Sequence, residues 1–168
     1  MIQQNTNNGS ALFNRSWAEY KVGFSDSRGN CWLGNDLLSQ LTLTGRYTLR
    51  LDLQSRNTSN WYYAEYSTFI VLSESSNYTL HVSGYSGNTG YDAFSRHNGR
   101  MFSTFDRDND RDSSSNCAVT FGGGWWYNSC HWCCMNCYKG LGKYFGFVWV
   151  NLPGGRRLQS SRMWLQCK

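Results

Sequence analysis

The polar–apolar pattern of this protein changes period along its length. Near the start, Ser16-Trp17-Ala18-Glu19 sets a hydroxyl and a carboxylate three residues apart. That spacing is a capping box, and Gly23 stops the short helix it predicts. Asn35-Asp36-Leu37-Leu38-Ser39-Gln40-Leu41 predicts a second short helix, capped by Asn35. The period then drops to two. In residues 46–53, Tyr47, Leu49, Leu51 and Leu53 alternate with Arg46, Thr48, Arg50 and Asp52, the signature of a half-buried strand. Strands over 61–72 and 78–82 follow, separated by the polar segments 54–60 and 73–77, which predicts an antiparallel meander. After about Ser83 the alternation fades into Gly, Ser, Asp, Asn and Cys as far as about Gly146, broken by Trp125-Trp126-Tyr127. Irregular stretches of that length need ties to hold them. Residues 145–150 and 162–165 read as a return to strands.

Composition narrows the class. At 168 residues the protein is one domain, with much of its apolar content in 8 Trp, 11 Tyr and 9 Phe. The net charge of +5 comes from 12 Arg and 4 Lys scattered along the sequence, with no basic stripe, which argues against nucleic acid. Such a mild positive field favours acidic glycans or lipid headgroups only weakly. Seven cysteines and four Asn-X-Ser/Thr sequons, at Asn8, Asn14, Asn57 and Asn77, point to secretion into an oxidising, extracellular setting. No apolar leader opens the sequence at Met1, and the run Phe69-Ile70-Val71-Leu72 is far too short to span a membrane. The sequence reads as a piece whose beginning is missing.

The candidate chemistry sits in the irregular half. Asp106, Asp108, Asp110 and Asp112 occupy alternate positions, with Arg107 and Arg111 between them and Ser113-Ser114-Ser115 after. Two or three of these carboxylates could converge on calcium, which accepts six to eight oxygens in irregular geometry. The other reading is a solvated acidic turn with the two arginines as counter-charges. An EF-hand is excluded, because Arg111 replaces its glycine and Cys117 its bidentate glutamate.

Several segments, in order, resemble the fibrinogen-like domain of ficolins, tachylectins, angiopoietin-like proteins and tenascins. They are Ile2-Gln3-Gln4, Trp17-x-x-Tyr20-Lys21-x-Gly23-Phe24, Trp32-Leu33-Gly34-Asn35-Asp36, His97-Asn98-Gly99, Phe102-Ser103-Thr104 with Asp106-x-Asp108-Asn109-Asp110, Asn116-Cys117-Ala118, and Gly124-Trp125-Trp126-Tyr127-x-x-Cys130-His131. The resemblance implies an α+β fold: a twisted antiparallel sheet with short helices over about 1–95, then a loop-dominated subdomain over about 96–168, braced by a disulfide and calcium. It implies carboxylate ligands at Asp108 and Asp110, backbone carbonyl ligands at Asp112 and Ser114 or Ser115, a Cys117–Cys130 disulfide and a cis peptide at Ser129-Cys130. The Cys130 and His131 N–H groups would then bind an acetyl carbonyl, between Phe121 and Tyr144. An acetamide independently asks for such donors beside an apolar slot. Trp125 and Trp126 are expected in the core of the loops, and His97 in a structural turn.

The sequence also departs from the family pattern. A disulfide-bearing segment usually precedes Ile2, and Trp132-Cys133-Cys134-Met135-Asn136-Cys137 stands where relatives carry a Leu-Asn-Gly turn. The loop from Tyr138 to Gly146 is short. Beyond Cys117 and Cys130, the cysteines Cys31, Cys133, Cys134, Cys137 and Cys167 leave at least one without an internal partner, and further disulfides fit their spacing better than zinc does. Adjacent Cys130 and His131 do not make a nucleophile–base pair, and no enzyme is expected. The expected function is a secreted, calcium-dependent recognition domain for acetylated or decorated glycans, of innate-immune lectin type. The alternative is a protein-binding module of a matrix or angiopoietin-like ligand. Oligomerisation through regions absent from this sequence would supply avidity.

Overall fold

The computed structural model describes residues 1–6, 12–137 and 145–168. Its elements, in sequence order, are β1 (Gln3–Asn5), α1 (Trp17–Val22), β2 (Phe24–Ser25), β3 (Cys31–Trp32), α2 (Asn35–Thr42), β4 (Tyr47–Ser55), β5 (Trp61–Val71), β6 (Leu80–Gly87), α3 (Cys117–Phe121) and β7 (Leu158–Cys167). The strands form one antiparallel sheet in the order β2-β3-β1-β7-β4-β5-β6. The β4–β5–β6 meander expected from the alternating pattern is present. Leu49, Leu51 and Leu53 are fully buried on its inner face. On the outer face Arg50 pairs with Asp52 and Glu65 at 2.9 Å.

α1 is capped as its sequence predicts. The Ser16 hydroxyl accepts from Glu19 N, the Glu19 carboxylate accepts from Ser16 N, and Gly23 closes the helix onto the Glu19 carbonyl. At α2 the expected cap is corrected. Gly34, not Asn35, is the N-cap, and Asn35 turns inward to accept from the Trp32 indole at 2.9 Å. Burial outweighs capping there, because an enclosed indole N–H needs an acceptor.

The segment 145–150 is not a strand. Phe145, Phe147, Val148 and Trp149 are all buried, so both sides of the segment face protein. Among the described residues it pairs through the isolated bridges Cys133–Trp149 and Val148–Arg157. Strand β7 instead lies between β1 and β4, joining the two ends of the sequence to the meander.

Sheet and irregular half share one aromatic core. Trp126 lies between Phe102 (5.3 Å between ring centroids), Trp32 (6.0 Å) and Phe69 (6.3 Å), and its indole donates to the Tyr78 carbonyl. Trp125 and Trp126 are thus core, as expected. Side chains Gln3 and Asn5 of β1 both donate to the Met135 carbonyl at 3.0 Å, tying the cysteine-rich turn to the sheet.

Candidate functional site

Three of the four alternating carboxylates shape the loop by serving its own backbone. Asp108 accepts from Asp110 N at 3.1 Å, Asp110 from Asp112 N at 2.7 Å, and Asp112 from Ser114 N at 3.0 Å. This is a series of Asx turns, in which a short side chain substitutes for a backbone turn. Asp106 leaves the series: it accepts from Trp17 N at 2.9 Å and from the Thr104 hydroxyl at 2.7 Å, docking the loop on the start of α1.

The arginines are not the counter-charges of this run. Arg107 lies over the Trp17 ring at 4.0 Å, donates to Asn77 and approaches Glu74, and among the described residues Arg111 forms no ion pair. The carboxylates therefore face one another. Burial holds Asp110 above the usual carboxylate range, with the Asp108 carboxylate acting in the same direction against the N–H groups of Cys117 and Asp112. Hydrogen bonds from Ser114 hold Asp112 below that range.

Asp110 also reaches the ligand loop. Its second oxygen accepts from Cys117 N at 2.8 Å, where α3 begins with Asn116 as N-cap. Cys117 is joined to Cys130, and an Asp112 oxygen lies 3.8 Å from the Cys130 sulfur. Asp112, Cys117 and Cys130 are the one His/Cys/Asp/Glu triple among the described residues close enough to share a metal, but the disulfide offers no thiolate. The same bond removes Cys130 as a nucleophile. A second disulfide, Cys134–Cys137, occupies the other CxxC, and Cys31, Cys133 and Cys167 are free. The cysteine spacing thus holds disulfides, as expected.

Beyond the Cys117–Cys130 bridge, the Ser129–Cys130 peptide is cis, as the resemblance implies. Phe121, at the end of α3, packs edge-on against His131 with ring centroids 4.4 Å apart. These two rings, with Phe145, Val148, Val150 and Arg156, line a cavity of about 140 Å³. Burial pushes His131 down to about 4, with the Gly146 carbonyl opposing, so the ring is neutral at physiological pH. Its Nδ1 is enclosed and has no hydrogen-bond partner among the described residues. Tyr144, expected on the facing wall, lies outside the described residues, as does Asn8. Phe145, Val148, Val150 and Arg156 were missed by reading the sequence. They are remote in sequence from Phe121 and His131, and no motif marks them.

His97 supports this loop from beneath. It is fully buried, its Nδ1 lies 2.8 Å from the Trp126 carbonyl, and its Nε2 accepts from the N–H groups of Trp132 and Cys133, both at 3.3 Å. Nδ1 is therefore the protonated nitrogen. This agrees with the structural role expected for His97.

Comparison with known proteins identifies the relatives of this arrangement. Human ficolin-3 is 44% identical over 131 residues, which is 78% of this chain and 43% of ficolin-3. Techylectin-5A of Tachypleus tridentatus is 42% identical over 127 residues, 76% of this chain and 42% of that protein. Mouse tenascin is 47% identical over 124 residues, 74% of this chain but 6% of tenascin. The chain spans less than half the length of these relatives. The solved fibrinogen-like globe domain of human ANGPTL2 superposes with a TM-score of 0.88 at 35% identity, covering 99% of this chain and 78% of that one. Residues 1–167 match the family model of the C-terminal globular domain of fibrinogen beta and gamma chains, and the protein belongs to that family.

Proposed function

We propose that this protein is an extracellular recognition domain, not an enzyme, whose pocket beside His131 takes the acyl group of an acetylated or otherwise decorated glycan. The observation that carries this reading is the meeting of Phe121 and His131, at 4.4 Å, over a cavity of about 140 Å³. That volume is below the about 300–1,000 Å³ of sites that engulf drug-sized ligands. It suits one small group of a larger, solvent-exposed molecule. Among the described residues, the Cys130 and His131 N–H groups donate to no acceptor, so both can serve an acyl oxygen. Similarity to ficolin-3 and techylectin-5A favours a lectin. Similarity to tenascin and ANGPTL2, and to a lamprey fibrin D-dimer solved with the peptide Gly-His-Arg-Pro-amide, favours a protein or peptide ligand. Two disulfides accord with an extracellular setting, and no described helix is long and apolar enough to cross a membrane.

Calcium fits the Asp108–Ser115 loop. The donors are hard oxygens, two carboxylates converge within one turn, and the Asp108 carboxylate adds to burial in raising the Asp110 pKa, a repulsion that a cation would offset. Asp108 and Asp110 would hold the ion, with the Asp112 and Ser114 carbonyls completing the set. The ion would brace the loop, and through Asp110 and Cys117 the start of α3.

A glycan array pairing each N-acetylated sugar with its unacetylated counterpart tests the main reading. Binding should follow the acetyl group and fall at least tenfold in Phe121→Ala. Equal binding to both members of each pair, or binding only to a receptor ectodomain, would select the protein-binding alternative.

A further inference from the structure

The fold separates sequons that the sequence makes equivalent. Asn14 and Asn57 are exposed, whereas Asn77 is half-buried. Asn77 is committed to the packing around it. Its Oδ1 accepts from the Arg107 guanidinium at 2.6 Å, its Nδ2 lies 3.3 Å from the Met101 sulfur, and its carbonyl accepts from Phe102 N at 2.9 Å. Its backbone is left-handed, at φ 50°, where the chain turns into the fully buried Tyr78. A sugar on Nδ2 would have to displace Met101 and crowd the Arg107 contact.

Asn57 has the opposite setting. Asn57-Thr58-Ser59 forms the tip of the hairpin between β4 and β5, and residues 56–60 are all exposed. The turn is held without the Asn57 amide. Ser55 N donates to the Asn60 carbonyl at 2.9 Å, and Ser59 N donates to the Ser55 carbonyl at 3.0 Å. The Ser55 hydroxyl accepts from Asn57 N at 3.3 Å and donates to the Gly154 carbonyl at 3.1 Å. Among the described residues, neither the Asn57 carboxamide nor the Ser59 hydroxyl makes a hydrogen bond. The amide lies over Gly155, where a Cβ would collide with Nδ2, and a Cβ at Gly154 would meet Thr58 at 2.9 Å. Two residues without side chains thus leave room beside the amide. A free amide on an exposed tip is the surface setting that a bulky N-linked sugar needs.

The same tip borders the cavity beside His131. Arg56 lies over the Phe145 ring at 5.7 Å and Arg157 at 5.0 Å, and Phe145 and Arg156 both line the cavity. Arg56 N donates to the Arg157 carbonyl at 2.9 Å, which fastens the hairpin to that wall.

We propose that Asn57 is an N-glycosylation site, that Asn77 is not, and that the Asn57 glycan stands at the cavity rim and screens it from bulky ligands. The screening role rests on the acyl-binding reading of the cavity, and the modification itself does not. The donor is an oligosaccharide linked through a diphosphate to a lipid, in the secretory lumen. Asn57 Nδ2 bonds to the sugar C1, the C1–O bond to the diphosphate breaks, and the diphosphate leaves with that electron pair. The amide proton passes to a base, and nothing is oxidised or reduced.

The test secretes the whole chain from animal cells and maps each sequon by mass spectrometry. Peptide N-glycosidase in heavy-oxygen water marks every occupied Asn as a labelled Asp. The Asn57 peptide should carry the label in most molecules and the Asn77 peptide in none. Ser59→Ala keeps Asn57 but destroys the sequon, and should remove that label alone. An unlabelled Asn57, or a labelled Asn77 in folded protein, overturns the assignment. Binding is then compared for the native glycoform, the enzymatically deglycosylated protein and Ser59→Ala, each matched by circular dichroism. Loss of the glycan should tighten binding of N-acetylglucosamine-coated albumin at least threefold and leave free N-acetylglucosamine unchanged. Equal albumin binding by all three forms overturns the screening role. If no form binds either acetylated probe, the acyl reading of the cavity falls and takes the screening role with it, while the mass map still decides Asn57.

Discussion

At the residue scale, His97 gives the molecule a pH dependence. Burial holds its pKa near 3, against an ordinary value of 6.5, and two N–H groups aimed at Nε2 leave no room for a second proton. The unfolded state binds that proton below pH 6.5 and the folded state refuses it. Stability is therefore full above about pH 6.5 and drains as pH falls toward 3. At pH 5 the loss from His97 is about 2 kcal/mol, and His131, held near 4, adds in the same direction. Urea midpoints at pH 7 and pH 5 should differ accordingly. In His97→Gln the difference should shrink while the pH 7 midpoint drops. Asp110 divides its work between the proposed cation and the Cys117 N–H. Asp108→Ala is thus the cleaner probe, and should abolish a calorimetric calcium signal with little loss of apo stability. An unchanged signal would remove the calcium site. The alternating aspartates were visible in the sequence, but their occupation by their own backbone was not. Period two is shared by Asx turns and by converging ligands, and only φ/ψ separates the two.

At the element scale, helices and long strands were legible wherever the local pattern agreed with its environment. The α1 capping box acts entirely within four residues, so the sequence sufficed to see it. Ser16→Ala should cost about 1 kcal/mol, lowering Tm by about 2–4 °C in a domain of this size. The strands β4 and β5 declared themselves by alternation. Two- and three-residue strands such as β1, β2 and β3 have too few positions to show a period, and residues 145–150 mimic a strand because they are apolar on both sides. Tight loop packing also escapes periodicity. A Cβ at Gly123 would lie 2.0 Å from the Asn136 carbonyl oxygen, whereas one at Gly45 meets nothing within 4 Å. Gly123→Ala should therefore unfold the loop region or cost several kcal/mol. Gly45→Ala carries only a left-handed backbone penalty of about 1 kcal/mol. Thermal melts of the two variants compare them directly.

At the scale of the whole molecule, three thiols remain outside the disulfides, and their settings differ. Cys167 is exposed, Cys31 is half-buried with its thiol pKa raised by burial, and Cys133 is fully enclosed. A thiol reagent should label Cys167 quickly, Cys31 slowly, and Cys133 only after denaturation. Fast labelling of two or more thiols in the native protein would contradict this packing. By itself the sequence determined what depends on near neighbours: the capped helix, the alternating meander, the carboxylate loop, and a family pattern that implied Cys117–Cys130 and the Phe121–His131 pair. The tertiary structure alone decided what depends on distant segments meeting. It set β7 inside the sheet and walled the pocket with Val148, Val150 and Arg156. Capping and alternation act over a few residues, whereas packing and Coulomb interactions act through space and leave no period to read.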